Sequence, residues 1–219
     1  MDVPEVNQSW VEGWETGDIG FHRSGVHPVL KKHYEWLLAG RSPSKVFVPL
    51  CGKSVDMKWL YDQGHEIVGI EGAETAVQQF FDESKILFKI SSIEDGLLKL
   101  YQSEDGRIRL YVGNYYNMPS TGESNFPAIW DRGSLEAIDI KEREKYVDVM
   151  TSLMSPGSRC LAEVVNRDDN RGPPFFITEE GMSNLFKGYS VKYLDKEEPV
   201  KGMPSFLKGF FLYSIERKE

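Results

Sequence analysis

Hydrophobic and polar residues follow two different periods along this chain, and the two periods alternate. Short apolar runs rich in β-branched residues occupy 45–50 and 65–71, which is the pattern of buried strands. Apolar residues at helical spacing follow Pro28 and Ser54, two residue types that begin helices. Further strands are predicted at 108–115, 127–131 and 159–165, with a crossover helix over 139–154. This alternation predicts an α/β fold with a mostly parallel sheet and helices on both faces.

The C-terminal part of the chain departs from this alternation. A short helix is predicted at 179–187, followed by two strands, one around Val191 and one over 206–215. The polar loop between these strands suits an antiparallel hairpin at an edge of the sheet. With 219 residues, the chain has the length of a single domain covering 1–219.

Composition narrows the classes of partner. The chain has 26 Lys and Arg residues against 34 Asp and Glu residues, a net charge of −8, and the basic residues are dispersed. Nucleic acid is therefore not expected as a partner, because phosphate backbones are bound by clustered cations. No apolar run reaches the roughly 20 residues that span a bilayer, and the N-terminus lacks a hydrophobic stretch, so a cytoplasmic protein that binds no membrane is expected.

The cysteines and histidines do not suggest a metal site. Cys51 and Cys160 are too few for a disulfide framework and lack metal-ligand spacing. The four histidines are scattered: His22, His27, His33 and His65. We expect structural roles for Cys51 and for the histidines, and no bound metal.

The exit of the first predicted strand points to a nucleoside-containing cofactor. Gly52 lies in the turn after that strand, and Glu71 ends the second strand 19 positions later. A glycine-bearing turn followed about 20 positions later by a carboxylate is the arrangement that holds a ribose. Taken singly, Gly52 could be a plain tight turn and Glu71 a solvated strand end.

The same turn discriminates between cofactors. It lacks the G-x-G-x-x-G of dinucleotide sites, and no glycine precedes Gly52 at the distance that a P-loop requires. A site without a phosphate cradle disfavours NAD and ATP. S-adenosylmethionine carries ribose and adenine but no phosphate, so it is the cofactor that the turn favours.

Five segments of the chain resemble one known family, the thiopurine S-methyltransferases. They are Gly-Phe-His at 20–22, Phe-Val-Pro-Leu-Cys-Gly-Lys-Ser at 47–54, Asp-Met-Lys-Trp-Leu at 56–60, Ile-Trp-Asp-Arg-Gly-Ser-Leu at 129–135 and Gly-Pro-Pro-Phe-Phe at 172–176. The resemblance extends from about Trp10 to the last strand. It implies a Rossmann-like class I methyltransferase fold: a mostly parallel seven-stranded sheet with an antiparallel edge strand, and an N-terminal helical lid over 1–27.

The resemblance also implies site residues. Trp10 would line the methionine end of S-adenosylmethionine, Glu71 would hold the ribose, and Arg132 would reach the cofactor carboxylate or the substrate. The residues implied to contact the cofactor are Trp10, Trp14, Leu50, Gly52, Glu71, Asn114, Tyr115 and Arg132. Those implied to contact the substrate are Phe21, Arg132 and Phe175.

Each of these roles has a structural alternative. Trp10 and Trp14 lie one helical turn apart, as in any amphipathic helix that packs on a core. Arg132 could pair with Asp131 or a neighbouring acid, and Phe175 could belong to the core. Where some relatives place an arginine before the last strand, this chain offers only Lys201 and Lys208, so the preferred substrate stays open.

The implied reaction is methyl transfer from S-adenosylmethionine to the sulfur of an aromatic or heterocyclic thiol, by a monomer acting on a small molecule. A thiolate is already a good nucleophile, so we expect catalysis by positioning, with Arg132 favouring the thiolate and no certain acid–base residue. The alternatives are methylation of a selenium or tellurium compound, a halide or a small thiol, and a non-catalytic cofactor-binding module. A nicotinamide oxidoreductase is disfavoured by the single-glycine turn.

Overall fold

The described residues form one sheet of nine strands. The structure is a computed structural model that describes residues 4–93, 96–167, 169, 171–199 and 204–218. The strands are β1 (Lys45–Pro49), β2 (Glu66–Glu71), β3 (Phe88–Ile93), β4 (Leu98–Ser103), β5 (Ile108–Val112), β6 (Phe126–Arg132), β7 (Met154–Arg167), β8 (Ser190–Glu197) and β9 (Leu207–Glu216). Their order in the sheet is β3-β4-β5-β2-β1-β6-β7-β9-β8.

The five central strands are parallel, as the alternation of strand and helix predicted. Strand β1 pairs in parallel with β2 and β6, which in turn pair in parallel with β5 and β7. Strand β9 runs antiparallel to both β7 and β8, so the predicted C-terminal hairpin is present. The antiparallel strand β9 lies inside the sheet, and β8 forms the edge.

The predicted count of seven strands was wrong, because β3 and β4 extend the sheet beyond β5. They pair with each other and with β5 in antiparallel fashion. Four of the six residues of β3 are exposed. An edge strand with so little burial carries no continuous apolar run, which is the signal that identified the central strands.

The described residues form six α-helices, of which all but the first cover the two faces of the sheet. The six helices are α1 (Gln8–Thr16), α2 (Pro28–Leu38), α3 (Val55–Asp62), α4 (Glu74–Ser84), α5 (Arg143–Leu153) and α6 (Glu179–Leu185). Residues of α2, α3 and α4 share one apolar cluster with Val46 and Val48, whereas residues of α5 and α6 share the other with Phe47. Successive residues of β1 thus face opposite layers. Across the described residues, no helix combines the length and apolar character that a membrane crossing needs.

A buried carboxylate on α3 connects three of these elements. Asp56 Oδ1 accepts the backbone N–H of His27 at 2.7 Å, where α2 begins, and Oδ2 accepts Trp130 Nε1 of β6 at 2.9 Å. Trp130 is fully buried in the core. Without Asp56, both donors would be left unsatisfied away from water.

We predict that Asp56→Ala lowers the free energy of unfolding by about 2–5 kcal/mol, because each orphaned buried donor costs about 1–3 kcal/mol. Asp62→Ala on the same helix is the control, since it removes only an exposed ion pair with Lys58 and should cost about 0.5 kcal/mol. Urea denaturation of both variants measures the difference. Equal losses of unfolding free energy in the two variants would contradict a stabilising role for the Asp56 hydrogen bonds.

Candidate active site

A cavity of about 1010 Å³ opens where the central strands end. The chain passes from β1 to β2 and β5 on one side and to β6 and β7 on the other, so the strand order switches between β1 and β6. Ligands of open α/β sheets bind outside the carboxyl ends of the strands at such a switch. All but one of the predicted site residues line this cavity: Trp10, Trp14, Phe21, Leu50, Gly52, Glu71, Asn114, Tyr115 and Arg132.

The turn after β1 forms part of the cavity wall and has an unusual backbone. Leu50 and Gly52 both have positive φ, 41° and 49°. A Cβ atom on Gly52 would lie 2.6 Å from Cζ2 of Trp14, so only glycine lets the turn approach α1 this closely. A non-glycine residue in the left-handed region, such as Leu50, costs about 1 kcal/mol or more, and such strain is frequent at functional sites.

The carboxylate of Glu71 joins this turn to the turn after β2. Its Oε2 accepts the N–H of Gly52 at 2.9 Å, and its Oε1 accepts the N–H of Ala73 at 2.9 Å. The residue is only 7% exposed, and burial raises the pKa of Glu71, while the backbone N–H groups of Ala73, Gly52 and Gly72 oppose the rise. Each oxygen accepts one amide, which leaves lone pairs for two further donors.

The side chains after β5 divide between the cavity and the core. Asn114 accepts the N–H of Tyr116 at 3.0 Å and donates through Nδ2 to the carbonyl of Pro4. Tyr115 contributes to the cavity wall, but its ring stacks on Tyr146 at 4.4 Å, and its hydroxyl donates to the Tyr146 carbonyl. Tyr116, which the sequence did not single out, has a buried hydroxyl with no hydrogen-bond partner among the described residues.

Helix α1 and the segment after it bring three aromatic rings to the cavity. The ring of Phe21 meets Trp10 at 5.1 Å and Trp14 at 5.5 Å, both edge-on. Trp14 also packs with Ala73 and Ala76, so it has the structural role that its spacing allowed. The indole Nε1 of Trp10 is buried without a hydrogen-bond partner in the described chain. The lid function of residues 1–27, of which 1–3 lie outside the described residues, stays a prediction.

Arg132 contacts the segment that follows α1. Its Nη1 donates to the carbonyl of Phe21 at 2.9 Å, and its Nε lies 3.5 Å from Oε1 of Glu163 on β7. Of the predicted alternatives, the structure shows an ion pair with a neighbouring acid, Glu163, and not with Asp131. Asp131 is buried and accepts the hydroxyl of Tyr146 at 2.9 Å, and burial raises its pKa to about 6.

A cluster of charged side chains lies beneath Arg132. His27 Nε2 is 2.5 Å from Glu163, and Arg23 binds both carboxylate oxygens of Glu197 at 2.6 and 2.9 Å. One ligand atom each from His27, Glu163 and Glu197 could surround a cation, since these atoms lie within 4.8 Å of one another. The guanidinium of Arg23, 3.0 Å from His27 Nε2, already supplies positive charge at this point.

Glu163 and Glu136 are two buried carboxyl groups with opposite pKa shifts. Burial alone would raise both, but His27, Arg132 and Arg23 together lower the pKa of Glu163. Burial and the nearby charge of Glu163 raise the pKa of Glu136 to about 8. Glu136 lines the cavity and accepts the N–H of Val165. The sequence offered one signal for it, an acidic residue four positions after Arg132 at the mouth of β6.

Phe175 is the predicted site residue that does not line the cavity, and its substrate contact stays a prediction. Its ring packs under the guanidinium of Arg143 at 5.8 Å, and its N–H donates to the carbonyl of Glu136 at 2.7 Å. The neighbouring Pro174 lines the cavity instead, together with Phe206 and Phe210. The ring packing of Phe175 is decided by Arg143, which no local sequence pattern reveals.

Three further sequence-based expectations concern cysteine and lysine side chains. Cys51 and Cys160 are buried free thiols, and burial raises both pKa values well above the usual range, which agrees with a structural role for Cys51. Lys208 donates to the carbonyl of Ser205 at 2.9 Å and does not line the cavity. Lys201 lies outside the described residues.

Solved structures of methyltransferases share this fold. The 1,6-didemethyltoxoflavin-N1-methyltransferase of Burkholderia thailandensis, solved with its substrate and S-adenosylhomocysteine, has a TM-score of 0.67 at 15% identity, over 100% of this chain and 94% of that one. The N-methyltransferase NodS of Bradyrhizobium japonicum, solved with S-adenosylhomocysteine, has a TM-score of 0.67 at 12% identity, over 95% and 98% of the two chains. The predicted fold class is confirmed, apart from the number of strands.

Sequence comparison identifies the family. The model of the family described as thiopurine S-methyltransferase matches residues 5–210. A probable thiopurine S-methyltransferase of Danio rerio is 40% identical over 100% of this chain and 93% of its own length. The thiopurine S-methyltransferase of Equus caballus is 38% identical over 89% of this chain and 81% of its own length. The five segments quoted from the sequence predicted the same family. This chain belongs to the thiopurine S-methyltransferase family.

Proposed function

We propose that this protein transfers a methyl group from S-adenosylmethionine to the sulfur of an aromatic or heterocyclic thiol. Membership of the family supports the reaction, and relatives in fish and horse carry the name thiopurine S-methyltransferase. The observation that carries the proposal is the carboxylate of Glu71, which is buried at the strand switch and joins the turns after β1 and β2.

The residues of the cavity fit this cofactor. Glu71 has lone pairs left for the two ribose hydroxyls, and the turn at Gly52 offers no cradle for a pyrophosphate. The unpartnered Nε1 of Trp10 and hydroxyl of Tyr116 are polar atoms that a ligand could satisfy. When bound, S-adenosylmethionine supplies a methyl group on a sulfonium sulfur, which is open to in-line displacement.

The acceptor would lie toward the exits of β6 and β7. Phe21, Phe206 and Phe210 offer aromatic surface there for a flat ring. The guanidinium of Arg132 is held by the Phe21 carbonyl and Glu163, and its charge would favour the thiolate form of the acceptor. The protein would then contribute mainly by orienting the two reactants. In intramolecular model reactions, such orientation lowers the activation barrier by about 7–11 kcal/mol.

We predict that Glu71→Ala weakens S-adenosylmethionine binding at least about tenfold, because two hydrogen bonds to a charged group are lost. Glu66→Ala, at the exposed start of the same strand, is the matched control and should bind normally. Calorimetric titration with S-adenosylmethionine and separately with NADH measures both variants, and thermal melts check the turn that Glu71 supports. Equal affinities in the two variants, or tight binding of NADH, would contradict the proposal.

We further predict that Arg132→Ala lowers kcat/KM for thiophenol about tenfold or more, whereas His22→Gln changes it less than about threefold. His22 also lines the cavity, and burial together with the charge of Lys53 lowers its pKa. A general base contributes about 10²–10⁴-fold. If His22→Gln loses that much kcat/KM while calorimetry shows unchanged cofactor affinity, His22 acts as a general base and catalysis by positioning alone is contradicted.

A further inference from the structure

Glu136 presents one half of its carboxyl group to the cavity. It lies in the short 3-10 turn Leu135–Ala137 that follows β6, and it is only 6% exposed. One oxygen, Oε2, accepts the N–H of Val165 on β7. The other, Oε1, lies beside Gly133, another cavity residue, and makes no hydrogen bond within the described parts of the chain. A buried group with one oxygen fixed and the other open to a cavity is suited to bind a ligand.

The turn that carries Glu136 is held in place from two sides. The carbonyl of Glu136 accepts the N–H of Phe175 at 2.7 Å, and Phe175 is in turn held by Arg143 through its carbonyl at 3.0 Å. Val165 fixes the carboxyl itself. The open oxygen is therefore held in one position, and a ligand atom that reaches it needs no rearrangement of the turn.

The surroundings of Glu136 favour its neutral form. The charged groups near it are Asp131 and Arg132 of β6, Glu163 of β7 and Arg143 of α5. Burial and the negative charge of Glu163 outweigh Arg132 and raise the pKa of Glu136 to about 8. At neutral pH, the carboxyl group is therefore mainly protonated, and its free oxygen can donate a hydrogen bond.

We propose that Glu136 recognises the methyl acceptor by donating a hydrogen bond from its free oxygen to a ring nitrogen of a heteroaromatic thiol. The inference rests on the proposed function, whose site it deepens by naming the acceptor class. A ring nitrogen conjugated to the sulfur carries part of the thiolate charge, so a donor at this position both orients the ring and stabilises the reactive form. Arg132, near the same end of the cavity, provides charge without selecting between ring types.

The test compares acceptors that differ by one ring nitrogen: thiophenol, 2-mercaptopyridine and 4-mercaptopyridine. For Glu136→Ala, kcat/KM for the better mercaptopyridine falls about three- to tenfold, the size expected for one hydrogen bond, and that for thiophenol changes less than about twofold. Glu136→Gln restores the preference, because its amide oxygen can accept the Val165 N–H while its NH₂ group donates to the ring. Formation of S-adenosylhomocysteine gives the rates, and thermal melts show whether each variant folds.

The pH dependence separates recognition from structural support. In the wild type, the preference for mercaptopyridine declines as the pH rises through about 8, because Glu136 loses the proton that it donates. In Glu136→Gln the preference changes with pH only through the titration of the thiols themselves. The comparison uses the same thiols at each pH, so the titration of the acceptors themselves cancels between the two proteins.

Three outcomes would overturn the assignment: equal losses for all acceptors in Glu136→Ala, no recovery in Glu136→Gln, or identical pH profiles in the wild type and Glu136→Gln. Binding of each thiol to protein saturated with S-adenosylhomocysteine is measured by calorimetry in parallel. If the wild type methylates no thiol, the proposed function fails on its own. The assignment of Glu136 is then judged by whether Glu136→Ala loses affinity for mercaptopyridine and keeps it for thiophenol.

Discussion

The cavity depends on a buried carboxylate that holds two backbone turns together. Glu71 is the last residue of β2, and its side chain reaches back to the N–H of Gly52 after β1 as well as forward to Ala73. Burying such a group without partners would cost several kcal/mol, and the two amides offset that cost. The same two hydrogen bonds fix the direction in which the remaining lone pairs point. One side chain thus joins the two turns and carries the oxygen atoms that we propose bind the ribose.

A second constraint is the group of buried charged side chains near the exits of β6 and β7, where we propose that the acceptor binds. Despite burial, His27, Arg132 and Arg23 lower the pKa of Glu163, whereas burial and the charge of Glu163 raise the pKa of Glu136 to about 8. Two neighbouring carboxyl groups whose pKa values are pushed apart commonly have different roles. The roles that we propose follow this pattern: Glu163, 3.5 Å from Nε of Arg132, anchors that guanidinium, and Glu136, which lines the cavity, donates a hydrogen bond to the acceptor.

The sequence predicted those elements of the fold that have a clear pattern in their own residues. Strands β1 and β2 are buried on both faces and therefore read as continuous apolar runs, and Ser54 caps α3 as its residue type indicates. Strand β3 was missed because its exposed edge position leaves no such run. Gly52 and Glu71 could be placed together because parallel strands end at the same edge of a sheet.

The parts of the site that the sequence did not predict depend on contacts between distant segments. The contact of His27 with Glu163 and the donation from Val165 to Glu136 join residues that no spacing rule connects. Phe175 was expected at the substrate, but the cation of Arg143 and the turn at Glu136 hold it outside the cavity wall. Family resemblance supplied the other site residues, and the structure brings them to one cavity, where their individual roles stay predictions.

A crystal structure of the protein bound to S-adenosylhomocysteine tests the central claim most directly. The account predicts that both ribose hydroxyls lie within about 2.5–3.0 Å of the Glu71 carboxylate oxygens, with the cofactor sulfur directed toward Arg132 and Phe21. A nucleoside bound elsewhere in the cavity, or a Glu71 side chain that keeps only its two backbone partners in the complex, would contradict the account.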